Sequence, residues 1–205
     1  MEGYRTTVTL LAAIAVFVLV FNTNMETCSA ATTTTTKFIQ TSCNTTTYPK
    51  ICIKSLSSYS NKIKTSYRML CYTALTVSLK SAAKTSTIVT NLSRRHDLKP
   101  SEAAAVKDCV EDMGDSIDEL RQSLKEMKNL NGTDFDNKMS NIKTWVSAAL
   151  TDDDTCMEGV DDESLKGSVR TTIRNNVVST AQLTTNALAI VNSLNKKYLR
   201  RRRSH

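Results

Sequence analysis

Residues 103–127 read AAAVKDCVEDMGDSIDELRQSLKEM, and this stretch decides the fold. Its apolar members Ala103, Val106, Val110, Met113, Ile117, Leu120, Leu124 and Met127 follow one another at alternating spacings of three and four. Such spacing stacks side chains on one face only in a helix of about 3.6 residues per turn. Pro100 stands just ahead, where a first helical turn tolerates a missing N–H.

Three further segments carry the same period. From about 61 to 92, Ile63, Tyr67, Leu70, Ala74 and Val77 share a face before the register drifts. After Gly132, Thr133 is placed to cap a helix bearing Phe135, Met139, Ile142, Val146 and Ala149. From about 162 to 195 the stripe is Leu165, Val169, Ile173, Val177, Thr180, Leu183, Ala187, Ile190 and Leu194. Four amphipathic helices joined by short turns predict an all-α, antiparallel four-helix bundle in up-down-up-down order. The chain has only 5 glycines and 2 prolines, too few for the turns of a β-sandwich.

Ahead of the bundle, residues 1–30 have the form of a signal peptide. Arg5 supplies a positive end, Leu10 to Phe21 is uninterrupted apolar sequence too short to span a bilayer, and Ser29, Ala30 and Ala31 offer small residues for cleavage. The expectation is a secreted, extracellular protein with no membrane attachment after cleavage. The threonine-rich stretch 31–40 reads as a flexible linker, 41–196 as the folded domain, and 197–205 as a basic tail. The sequons at Asn44, Asn91 and Asn131 are candidate glycosylation sites that fit export.

Loss of Cys28 with the leader leaves Cys43, Cys52, Cys71, Cys109 and Cys156. In an oxidising compartment most of these pair, the odd number demands a spare thiol, and sequence alone allows many connectivities. A link between Cys43 and Cys52 would staple two short helices around Tyr48-Pro49 into an arm. A link between Cys109 and Cys156 would gather two acidic clusters onto one surface. The first cluster is Asp108, Glu111, Asp112, Asp115, Asp118 and Glu119; the second is Asp152, Asp153, Asp154, Glu158, Asp161, Asp162 and Glu163. Their spacing turns Asp108, Glu111, Asp115 and Asp118 away from the apolar stripe, toward solvent. Solvated helix faces explain many such runs, but like charges this close repel, and a basic partner relieves that cost.

Around these clusters the chain is basic, with a net charge of +7. Export and the lack of aromatics among the cations argue against nucleic acid. The run Arg200 to Arg203, behind Lys196 and Lys197, reads as a frayed, solvated tail; the alternatives are weak binding of an acidic polysaccharide and a processing site. Catalytic machinery is hard to find: the histidines are His96 and His205, and no nucleophile triad, phosphate loop, metal-ligand spacing or cofactor motif occurs.

Three segments together resemble the plant invertase and pectin methylesterase inhibitor family: CNTTTYPKICIKSLSS from Cys43, AVKDCVEDMGDSIDELRQSL from Ala105, and TWVSAALTDDDTCMEG from Thr144. The resemblance implies a four-helix bundle with an N-terminal helical hairpin, disulfides Cys43–Cys52 and Cys109–Cys156, and Cys71 free. It implies a monomeric inhibitor rather than an enzyme, acting in the apoplast and cell wall without cofactor or metal. Such an inhibitor packs across the substrate cleft of pectin methylesterase in a one-to-one complex and limits pectin demethylesterification. The family's contact positions fall on Glu111, Asp115, Asp118, Thr155 and Glu158. TWVSAALTD is more similar to the esterase branch than to the invertase branch. The alternatives are an inhibitor of cell-wall or vacuolar acid invertase, a detached pectin methylesterase pro-region, and a wall protein with no enzyme target.

Overall fold

A computed structural model describes residues 33–130, 132–161, 165 and 167–204. The proposed signal peptide, the sequon at Asn131, and Asp162 and Glu163 lie outside the described residues. The described residues are almost all helical, joined by short turns, without strands. Helix α1 spans residues 33–43. It is followed by α2 (Pro49–Ser57), α3 (Ser60–Ile63), α4 (Tyr67–Ser93), α5 (Pro100–Lys128), a 3-10 turn (Gly132–Asp134), α6 (Phe135–Asp161) and α7 (Gly167–Arg203). Helices α4 to α7 form the antiparallel bundle, α5 packing on α6 and α4, and α7 closing the ring against both α4 and α6.

Most members of the stripes read from sequence are buried, while Ala103, Tyr67, Val77, Leu183 and Leu194 are only partly so. On α6, Phe135, Met139, Ile142, Val146 and Ala149 all face inward. On α5 the core takes Val106, Met113, Ile117, Leu120 and Met127, with Cys109, Ser116 and Ser123 beside them. Val110 and Leu124 pack at its margin. Fully burying a Leu, Ile or Met side chain contributes about 1.5–3 kcal/mol, so these stripes outweigh the mediocre helix propensity of the threonines and valines of α7. Pro100 occupies the first turn of α5 as expected, and the Glu102 carboxylate accepts the Lys99 N–H at 2.9 Å, satisfying an N-terminal donor.

Four expectations are corrected. Residues 33–40, read as part of a linker, belong to α1, whose Ile39 is only 1% exposed. Burial of that residue against the bundle overrides threonine's weak preference for helix. The first bundle helix does not run from 61. Lys64, at φ 49°, breaks the chain after α3, and Ser66 then starts α4 by accepting the Met69 N–H at 3.3 Å. Thr133 is not a cap but lies inside the 3-10 turn that leads into Phe135. The basic tail is not frayed: α7 continues to Arg203, and Arg202 bonds Asp136 on α6 at 2.6 Å. Cations at a helix C-terminus are favoured by the macrodipole.

Helices α1 and α2 form the stapled arm, held by a Cys43–Cys52 disulfide with Cα atoms 5.5 Å apart. The arm lies on α4 and α7. Phe38 meets Tyr67 edge-on at 4.9 Å, and Asn186 of α7 clamps the arm's turn from both sides. Its amide oxygen accepts the Tyr48 N–H at 2.9 Å, and its nitrogen donates to the Tyr48 carbonyl at 3.0 Å. Asn186 is 3% exposed, so truncation strands two backbone groups. Asn186→Ala is expected to cost about 1–3 kcal/mol. Hydrogen exchange at the Tyr48 amide should accelerate while the core amides of α5 stay protected; unchanged exchange would show that the clamp does not hold the arm.

Among the described residues Cys71 is the free cysteine, fully buried on α4, with its thiol facing the Ile190 carbonyl at 3.6 Å. Burial pushes its ionisation far up, so it acts as a small apolar side chain. Asn44, in the turn after α1, and Asn91, near the end of α4, are both exposed.

Candidate functional site

The face that α5 and α6 share is built around the second disulfide. Cys109 and Cys156 are each 1% exposed and bonded, with Cα atoms 4.5 Å apart. Their positions on the buried edge of each helix bring the two acidic clusters together. A groove of about 520 Å³ runs over the bridge and takes in Asp108, Asp112, Thr155 and Glu158. Glu111, Asp115 and Asp118 continue the same exposed side of α5 beyond it. All five residues singled out from sequence are therefore exposed on α5 and α6: Glu111, Asp115 and Asp118 on one, Thr155 and Glu158 on the other.

The pairing within the face is light. Glu111 meets Lys107 at 3.4 Å and Asp118 meets Arg121 at 2.7 Å, both in exposed pairs along one helix. Such pairs are worth about 0.3–0.5 kcal/mol. Asp115 forms no ion pair among the described residues. Instead it faces other carboxylates.

Between the helices lie acids that the sequence did not single out individually. Asp112 is half-buried; burial, with Asp152, Asp108, Asp115 and Glu111 close by, pushes it up to about 6. Burial, then Asp115 and Glu119, pushes Asp152 up to about 6 as well. Glu119 is raised by burial and by Asp115. Glu119 Oε2 and Asp152 Oδ2 are shielded from solvent with no hydrogen-bond partner among the described residues. This is a negative surface whose own charges repel, and a cationic partner would satisfy it.

The second cluster divides. Asp153 leaves the surface altogether: it is 0% exposed, and Ser116 of α5 donates to it at 3.0 Å. Its burial, reinforced by Asp152 and Asp154, pushes it up to about 7 against the hydrogen bonds from Ser116 and Thr184. Asp161 is neutralised by Arg170, at 3.2 Å, and by Arg174, which hold its carboxyl below the usual range. The signal for Asp153 was present in the α6 stripe, since Val146, Ala149, Asp153, Cys156 and Val160 keep the three-four spacing.

This geometry defines a class of protein: an all-α, disulfide-braced module with an acidic face across α5 and α6. Comparison with known proteins supplies the family. A family model for plant invertase/pectin methylesterase inhibitors matches residues 37–190. The chain is 44% identical over 165 residues to a 21 kDa protein of Daucus carota, covering 79% of this chain and 86% of that protein. It is 43% identical over 165 residues to pectinesterase inhibitor 11 of Arabidopsis thaliana, covering 78% of this chain and 82% of the relative. A crystal structure of a mutant form of an Arabidopsis pectin methylesterase inhibitor superposes with a TM-score of 0.60 at 22% identity, over 73% of this chain and 92% of that one. That likeness shows the fold. The chain belongs to the plant invertase/pectin methylesterase inhibitor family, and the family is one of inhibitors.

Proposed function

We propose that this protein is a secreted inhibitor of pectin methylesterase that acts in the cell wall. It works as a monomer, covering the esterase's substrate cleft in a one-to-one complex. The observation that carries the reading is the α5–α6 face, where carboxylates crowd with little internal relief on helices joined by a disulfide. Occlusion asks for nothing more than a rigid, complementary surface. Glu111, Asp115 and Asp118 on α5, with Thr155 and Glu158 on α6, are the contact residues, and among the described residues neither Asp115 nor Glu158 has an ion-pair partner. Relatives named as pectinesterase inhibitors support the esterase as target over acid invertase. Among the described residues no helix is long and apolar enough to cross a membrane, which fits an extracellular protein once residues 1–30 are removed.

Titrating the purified protein against pectin methylesterase and acid invertase tests this. Esterase activity should fall to completion near one equivalent. Inhibition of invertase alone would reverse the branch, and inhibition of neither would sink the reading. The triple variant Glu111→Gln, Asp115→Asn, Asp118→Asn should bind a basic esterase at least about tenfold more weakly, mostly through slower association, with unfolding unchanged. Added salt should slow the wild type toward the variant. Equal affinity of the two proteins would mean that these carboxylates are only a solvated helix face.

A further inference from the structure

The opposite side of the bundle carries the opposite sign. There the last turns of α7 pass the start of α4 and leave a pocket of about 340 Å³. Ser66, Tyr67, Arg68, Lys197, Tyr198 and Arg201 line it, and no acidic residue does. Its parts are held in place. Lys197 Nζ lies 3.9 Å from the centre of the Tyr67 ring, which Phe38 of the arm braces edge-on. Tyr198 stacks on Phe135, with ring centres 3.5 Å apart. Arg68 donates to the Lys128 carbonyl at 2.7 Å, which fixes its guanidinium while leaving other N–H groups to donate.

The cations are positioned but not neutralised. Among the described residues none of Arg68, Lys197 and Arg201 forms an ion pair, whereas Arg202, one residue along, pairs with Asp136. Exposed Lys196, Arg200 and Arg203 extend the positive surface past the pocket. Arginine forks bind carboxylates in a planar, two-bonded manner, and tyrosine rings offer flat apolar walls with a polar tip. Together they fit a sugar ring bearing a carboxylate, with further carboxylates along a chain meeting the cations outside.

We propose that this pocket binds the free-carboxylate uronate chain of pectin. The choice of ligand source rests on the cell-wall role proposed above. De-esterified uronate is what a pectin methylesterase leaves behind. A pocket between α4 and α7 stays open when the α5–α6 face is occupied, because the two lie on opposite sides of the ring of helices. The inhibitor is thereby held on wall already processed, next to the enzyme it blocks.

Calorimetric titration of the full protein with unesterified oligogalacturonate at low salt tests the assignment. Arg68→Gln, Lys197→Gln, Arg201→Gln should weaken binding about tenfold or more, since each charge-assisted contact is lost. Arg200→Gln, Arg203→Gln, on the same helix outside the pocket, should weaken it far less. The methyl-esterified oligomer should bind poorly. Equal losses in both variants, heparin binding as tightly, or no binding at all would overturn the proposal. Esterase inhibition, measured on the same proteins, should be unaffected by either variant. Oligogalacturonate binding without esterase inhibition would overturn the inhibitor reading and leave the pocket standing.

Discussion

Replacing Cys109 and Cys156 together by alanine is expected to destabilise the bundle by about 4 kcal/mol. The bridge joins cysteines 47 residues apart in sequence, and closing so long a loop removes much of the unfolded chain's freedom. The shorter bridge spans 9 residues and should be worth only about 2.5–3 kcal/mol on the same account. The two also differ in what they hold. Cys43–Cys52 closes the arm, so its loss should be felt mainly there. Cys109–Cys156 ties α5 to α6 beneath the acidic face, so its loss should weaken partner binding too. Unpinned, the helices still pack through Val106, Met113, Val146 and Val160, but they must be ordered again on docking. Denaturant unfolding of the two double variants, read beside their affinity for the esterase, checks both statements. A long-bridge variant no less stable than the short-bridge one would refute the loop argument. Undiminished affinity would show that the face needs no brace.

The bundle was legible because apolar spacing is a local property of each helix, and α5 and α6 held their period from end to end. What escaped was set by contacts from elsewhere in the chain. The break at Lys64 is invisible in a sequence that lacks glycine there, since a lysine at positive φ is imposed by its surroundings. The α1 helix depends on Ile39 finding the bundle, and threonine-rich composition argued the other way. On the acidic face, the outward turn of Glu111, Asp115 and Asp118 followed from spacing alone. The half-burial of Asp112, Asp152 and Glu119 did not, because each is shielded by the facing helix. The basic pocket was further out of reach: Arg68 and Arg201 become neighbours only when the start of α4 meets the end of α7.

Stability is expected to fall as pH rises from about 4 to about 7, and Asp153 is the main cause. Its ordinary value is 3.8, and in the fold it is pushed up to about 7. Three units at ~1.36 kcal/mol each amount to about 4 kcal/mol. The sign follows from proton counts. Between those values the folded chain keeps the Asp153 proton while the unfolded chain has released it. The advantage is complete below the unfolded value and is lost as pH climbs through the folded one. Asp112 and Asp152, each raised to about 6, add slopes of the same sign, moderated by their contact with solvent. The hydrogen bonds only partly offset this burial. Ser116 donates to Oδ1 at 3.0 Å and Thr184 to Oδ2 at 3.5 Å, linking α5, α6 and α7. Asp153→Asn keeps that arrangement without a titrating group. The variant should match the wild type near pH 4 and exceed it by about 2–4 kcal/mol at pH 8, with the difference opening between. Urea unfolding across that range measures it. Parallel curves would mean that Asp153 titrates alike in both states.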